Sequence, residues 1–70
     1  MSKRLRVKLD LAVLVKHRSK EEGRAVSETE VFEWLSEAGF TRDGATHWIV
    51  MERDLGQVEP DEVLEVTDLD

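Results

Sequence analysis

The chain has 70 residues, a formal net charge of −6 and no cysteine. That length allows one small domain, residues 1–70, whose folding buries only about 60% of the unfolded surface. The missing cysteines exclude disulfides and thiolate metal sites, and small domains without such supports often gain burial by forming oligomers.

Apolar residues occupy every second position from Leu5 to Val15. This spacing predicts a β-strand over residues 4–16, because a helix would scatter the same side chains around its axis. Beyond Leu11 both faces of that strand are apolar, which indicates cover on two sides. Residues 16–25 are strongly charged and contain Gly23, so they predict a mobile charged loop.

The clearest prediction is a helix over residues 27–38. Ser27 and Glu30 have the spacing of a capping box, in which each side chain accepts a hydrogen bond from the other residue's backbone amide. Val26 and Val31 stand where a hydrophobic staple closes the first turn. The local sequence therefore specifies where this helix begins.

The end of the helix is equally well marked. Gly39 favours the left-handed conformation that terminates helices, and Phe40 then packs back on Leu35 one turn earlier. Three further apolar residues share the stripe of Leu35 at helical spacing, namely Val31, Trp34 and Ala38. Phe32 lies beside the stripe and is either a second contact or an exposed apolar residue.

The rest of the chain predicts two short strands. Residues 41–44 form a turn. Residues 46–52 are either strand or helix, and we favour a strand because His47 to Val50 have poor helix propensity and mostly good β propensity. After a loop set by Gly56 and Pro60, a strand covers residues 62–67, and residues 68–70 form an acidic tail.

These elements give an α+β fold in the order β-α-β-β, with one helix on a three-stranded sheet. A strand over residues 4–16 is on the order of 40 Å long. The helix covers only roughly 18 Å of it. The remaining apolar surface is covered by residues 46–55 if they are helical, by a bend in the strand or by a second copy of the chain. We favour the second copy, which predicts a homodimer.

No catalytic or metal-binding motif is present. His47 can be combined on paper with Asp43 and Glu52 as an acid–base set, but the chain has no nucleophile elbow, phosphate-binding glycine loop or spaced set of metal ligands. Two histidines thirty positions apart, His17 and His47, are a weak metal signal. We expect a protein that is not an enzyme and binds no cofactor or metal.

Charge is unevenly distributed along the chain. Residues 1–24 hold eight of the ten Lys and Arg residues against three carboxylates, a net of +5, and residues 25–70 hold a net of −11. The basic residues of the expected loop are candidates for phosphate binding: Lys16, Arg18, Lys20 and Arg24. Candidates for partner binding are two aromatic residues and three carboxylates: Trp48, Phe32, Glu62, Glu65 and Asp68.

The hypothesis that these features favour is a small protein-interaction or assembly module that acts as a homodimer through exposed sheet surface. The alternatives are a nucleic-acid-associated protein that uses residues 16–24, or an acidic surface that docks on a basic partner. Asp10 interrupts the first apolar run, which is too short for a membrane span. We therefore expect a cytoplasmic protein that does not enter a membrane.

Overall fold

A computed structural model describes residues 3–70 and contains a four-stranded antiparallel sheet with two α-helices on one of its faces. The strand order is β2-β3-β1-β4. The α+β class is confirmed, with one strand and one α-helix more than expected. The elements in chain order are β1 (Arg4–Leu9), α1 (Leu11–Glu22), α2 (Glu28–Glu37), β2 (Thr41–Asp43), β3 (His47–Met51), two 3₁₀ segments (Glu52–Gln57 and Pro60–Glu62) and β4 (Val63–Asp68).

The strand expected over residues 4–16 is wrong beyond Leu9. Asp10 ends β1 and caps a helix, because its carboxylate accepts a hydrogen bond from the Val13 amide at 3.3 Å. Leu14 is fully buried and Leu11 and Val15 pack against the core, so the apolar residues after Asp10 follow helical spacing. β1 has only six residues, so it is not an overlong strand for a second copy of the chain to cover.

The loop expected over residues 16–25 is wrong for residues 16–22, which belong to α1, while residues 23–25 lie between the two helices. The helix ends at Gly23, which has a positive φ of 67° and donates its amide to the Ser19 carbonyl. The Ser19 hydroxyl then accepts a hydrogen bond from the Val26 amide at 3.0 Å. The connection between the two helices is therefore tied to the last turns of α1.

The helix expected over residues 27–38 is confirmed as α2, and so is its capping box. The Glu30 amide donates to Ser27 Oγ at 3.2 Å, and the Ser27 amide donates to Glu30 Oε2 at 3.3 Å. At the other end Gly39 has a φ of 100°, and the Phe40 amide donates to the Leu35 carbonyl at 2.9 Å. This is the helix-ending motif that the sequence predicts.

Gly39 is a position where glycine is required, and we expect Gly39→Ala to destabilise the fold by about 1–2 kcal/mol. Its φ of +100° is unfavourable for other residues, and an added Cβ would lie 2.9 Å from Asp54 Oδ2. Gly56→Ala is the matched control, since a Cβ there meets nothing within 4 Å. Urea denaturation of both variants measures the difference, and equal stabilities would contradict this account.

The strand expected over residues 46–52 is confirmed as β3, and the one expected over residues 62–67 as β4. The turn expected over residues 41–44 is wrong in part, because Thr41–Asp43 pairs with β3 as the edge strand β2. A three-residue strand has too few side chains to show an alternating pattern, and it exists here only through its pairing.

The core lies between the sheet and the helices. Leu5, Val7 and Leu9 of β1 and Trp48 and Val50 of β3 are buried on this face. The α-helices contribute Leu14, Val31 and Leu35 to the same core. The opposite face of the sheet has no helix over it and carries partly exposed residues such as Arg6, Lys8 and Ile49.

Candidate functional site

A buried carboxylate joins α1 to the segment that precedes β4. Glu62 is only 3% exposed, and its Oε2 lies 2.7 Å from His17 Nδ1. Its other oxygen, Oε1, accepts a hydrogen bond from the Glu59 amide. Asp61 Oδ2 lies 3.4 Å from His17 Nε2, so carboxylates flank both nitrogens of the imidazole.

These carboxylates raise the pKa of His17 above its ordinary value of 6.5. The hydrogen bond with Glu62 is the main cause, and the nearby charges of Asp61, Glu62 and Glu59 act in the same direction against the effect of burial. The arrangement therefore favours the imidazolium form in the folded protein.

His17 and Glu62 border a depression of about 550 Å³ between α1, α2 and the 3₁₀ segments. Trp34 forms part of its wall, and the guanidinium of Arg18 lies 4.5 Å from the centre of the Trp34 ring. Both oxygens of Glu62 already have partners within the fold. The contact between His17 and Glu62 therefore holds α1 against the second 3₁₀ segment.

A second depression, which we call the aromatic groove, lies between α2 and β2. Its volume is about 350 Å³. The rings of Phe32 and Trp48 lie 5.6 Å apart at an angle of 43°. Its complete lining is Phe32, Ser36, Gly39, Phe40, Thr41, Arg42 and Trp48.

Two side chains of the aromatic groove, Trp48 and Arg42, carry N–H groups that have no hydrogen-bond acceptor in the part of the chain that the structure describes. The indole N–H of Trp48 is buried and has no hydrogen-bond partner among the described residues. Arg42 lies over the aromatic pair, with its guanidinium carbon 4.4 Å from the Phe32 ring centre and 5.9 Å from that of Trp48. Its Nε donates to the Gly44 carbonyl, and Arg42 forms no ion pair with a carboxylate of residues 3–70.

The basic and acidic ends of the chain lie side by side. Strands β1 and β4 pair antiparallel, with Lys8 opposite Glu65. The Lys3 ammonium lies 3.1 Å from Asp68, and the Arg4 amide donates to Asp70 at 2.7 Å. Part of the charge asymmetry along the sequence is therefore neutralised across the sheet.

The four residues predicted to bind phosphate lie on and just after α1, where glutamates engage two of them. Arg18 is 2.6 Å from Glu21, and Arg24 is 3.1 Å from Glu30. The other two, Lys16 and Lys20, are exposed. The exposed side of α2, the second helix of the pair, carries three more carboxylates: Glu28, Glu33 and Glu37.

The residues predicted to bind a partner lie in three separate places. Trp48 is 3% exposed and belongs to the core, while Phe32 is half-buried above it. Glu62 is enclosed by its contact with His17. Glu65 and Asp68 are exposed on β4 and face lysines of the N-terminal segment. Asp43 lies opposite His47 where β2 pairs with β3, but its carboxylate binds Arg6 at 2.6 Å. The side chain beside His47 Nδ1 is the Thr46 hydroxyl at 3.0 Å rather than a carboxylate.

No match was found among protein-family models, curated proteins or solved structures. Within residues 3–70 no group of three or more His, Cys, Asp or Glu side chains is arranged to hold a metal ion. No helix in that range is long and apolar enough to cross a membrane.

Sequence reasoning named Glu62 only as a candidate for partner binding, missed its contact with His17, and missed Arg42. His17 and Glu62 are 45 positions apart, and no spacing rule connects them. Arg42 lies opposite Trp48 in the hairpin of β2 and β3, and no sequence signal indicated this because β2 exists only through its pairing. A guanidinium beside an aromatic cross-strand neighbour is a familiar stacking arrangement.

Proposed function

We propose that this protein is a non-enzymatic assembly module that forms a homodimer through the free edge of β4. The observation that carries the proposal is the exposure of Val66. It pairs with the fully buried Val7 and shares its face of the sheet, yet it is 51% exposed. The helical layer that covers Val7 therefore leaves the last strand bare.

The free edge of β4 has the features that strand pairing uses. The strand is six residues long and pairs with β1 on one side only. Leu64 is 54% exposed, and Leu69 just beyond the strand is 40% exposed. An exposed strand with unpaired backbone groups and apolar side chains is a template for pairing with another chain.

A second copy is the partner that best suits this edge, because one antiparallel register keeps like charges apart. With Val66 on the two-fold axis, Glu65 faces the partner's Thr67 and Leu64 faces the partner's Asp68. A register with Glu65 on the axis would put two carboxylates directly opposite, which is unfavourable. The Val66 register yields an eight-stranded sheet with both helical layers on the same side, because a two-fold axis perpendicular to the sheet preserves its faces.

Catalysis and nucleic-acid binding have less support. Against catalysis, both carboxylate oxygens of Glu62 are already hydrogen-bonded within the fold. Against nucleic-acid binding, Arg18 and Arg24 already form ion pairs with glutamates. Glutamates on the outer side of α2 would repel phosphates where helix-pair DNA-binding proteins place their second helix. The proposal includes a cytoplasmic location, which suits a chain without cysteine.

Sedimentation equilibrium across micromolar to near-millimolar protein concentrations tests the proposal. We expect the wild-type chain to pass from monomer to dimer by mass action. Val66→Glu should remain monomeric throughout, because it puts two carboxylates on the axis of the interface. Its position is half exposed in the single chain, so the fold should tolerate the change.

Ala45→Glu is the matched control. Ala45 is exposed in the turn between β2 and β3, and the substitution adds the same charge at the other edge of the sheet. We expect this variant to dimerise like the wild type. A wild-type chain that stays monomeric at every concentration, or a dimer unaffected by Val66→Glu, would overturn the proposal.

A further inference from the structure

We infer that the aromatic groove is a binding site for a small carboxylic acid with a flat apolar body. The groove lies between α2 and β2, at the opposite edge of the sheet from β4. It is therefore independent of the surface proposed for dimerisation, and either proposal can fail without the other.

The unsatisfied donors of the groove define the polar end of the ligand. A buried N–H without an acceptor is unfavourable, and the indole N–H of Trp48 is such a group. The guanidinium of Arg42 offers further N–H donors, and only its Nε has a partner, the Gly44 carbonyl. A carboxylate satisfies both kinds of donor, because arginine binds its two oxygens as a pair.

The apolar end of the ligand follows from the rings of the groove. The Phe32 and Trp48 rings are tilted at 43° and separated by 5.6 Å, with the Arg42 guanidinium stacked over them. A flat hydrocarbon or aromatic body can stack on these rings beside or in place of the guanidinium. The volume of about 350 Å³ is suited to a small molecule.

Binding requires a movement of Arg42. The Trp48 N–H is covered in the structure, so an acceptor reaches it only after a covering side chain shifts. Arg42 is exposed, forms no ion pair within residues 3–70 and stacks over the same rings, which makes it the side chain free to move. Asp54 lies against Gly39, so its carboxylate disfavours placing the acid at the α2 end of the groove.

The test uses phenylacetate as the probe and the indole N–H signal of Trp48 as the readout in two-dimensional NMR. Trp34→Phe assigns the two indole signals. We expect phenylacetate to shift the Trp48 signal downfield in a saturable manner, with a dissociation constant on the order of 1 mM for so small a molecule. Phenylacetamide has the same shape without the charge and should produce no saturable shift.

Arg42→Gln should weaken phenylacetate binding by roughly tenfold or more, because it removes the charge-assisted hydrogen bonds. Arg4→Gln makes the same chemical change at an exposed position on β1 and should leave binding unchanged. The inference is overturned by an absent or unsaturable response, by an equal response to phenylacetamide, or by undiminished binding in Arg42→Gln. The comparison of phenylacetate with phenylacetamide needs only the wild-type chain, so it tests the inference even if a variant misfolds.

Discussion

Phe40→Ala should remove a large part of the free energy of unfolding of this domain. Phe40 is among the largest fully buried side chains and is 2% exposed. Removing a buried Phe ring costs about 3–5 kcal/mol, because contacts are lost and a cavity remains. A 70-residue domain has a free energy of unfolding of only about 4–10 kcal/mol.

Phe40 lies where α2 ends and β2 begins, so its loss should affect both the helical layer and the sheet. Its backbone ends α2 through the hydrogen bond to Leu35, and β2 begins at the next residue. Truncating the ring therefore loosens the junction between the helical layer and the sheet. Urea denaturation followed by circular dichroism measures the change in the free energy of unfolding.

Phe32→Ala is the matched comparison, since the chemical change is the same at a half-buried position beside Trp48. We expect a loss of about 1–2 kcal/mol there, because much of the ring is already in contact with water. Equal losses in the two variants would contradict the burial that distinguishes them.

Glu62→Ala should be the most damaging substitution of a charged residue, with a loss of about 2–3 kcal/mol. It removes the hydrogen-bond partner of His17 and the acceptor of the Glu59 amide. The loss stays below that for a fully enclosed ion pair, because the His17 side chain is 34% exposed. Glu65→Ala, on exposed β4, is the control and should change stability little.

The effect of Glu62 should depend on pH in a defined direction. The hydrogen bond with Glu62 raises the pKa of His17 above 6.5, so the folded protein holds this proton more tightly than the unfolded chain. The stability gained is fully present below the ordinary pKa and is lost as pH rises through the raised pKa. Between pH 6.5 and the raised pKa of His17, the wild type should therefore lose stability with rising pH more steeply than Glu62→Ala.

Denaturation midpoints measured at several pH values between about 5.5 and 9 test this expectation. The denaturation midpoint should depend less on pH in His17→Gln and in Glu62→Ala than in the wild type. His47→Gln serves as the histidine control, because His47 has Thr46 rather than a carboxylate beside Nδ1. If the denaturation midpoint of His17→Gln falls with pH as steeply as that of the wild type, other groups cause the pH dependence.

Local signals in the sequence predicted α2 correctly, because its capping box, staple and terminal glycine all lie within fifteen residues. The boundary between β1 and α1 was missed for a physical reason. The alternation of apolar residues continues past Leu9 to Val15 and concealed a local helix signal, since Asp10 caps α1. Packing of α1 against α2, including the contact of Arg18 with Trp34, also favours the helix.

The candidate sites were harder to predict than the fold class. Glu62 looked like one carboxylate of an acidic surface, but burial and a distant histidine give it a structural role. Trp48 was named as a binding residue, and its ring is buried while its N–H is left without a partner. Only the three-dimensional arrangement separates these environments, because neither residue belongs to a sequence motif.

The pairing of β1 with β4 has a consequence for how the chain is made. Contacts such as those from Lys3 to Asp68 and from Arg4 to Asp70 join residues 65 and 66 positions apart. Contacts this distant in sequence are slow to form, because the loop that they close is long. During translation the edge of β1 that faces β4 stays unpaired until Val63–Asp68 has left the ribosome, so the sheet is completed only then.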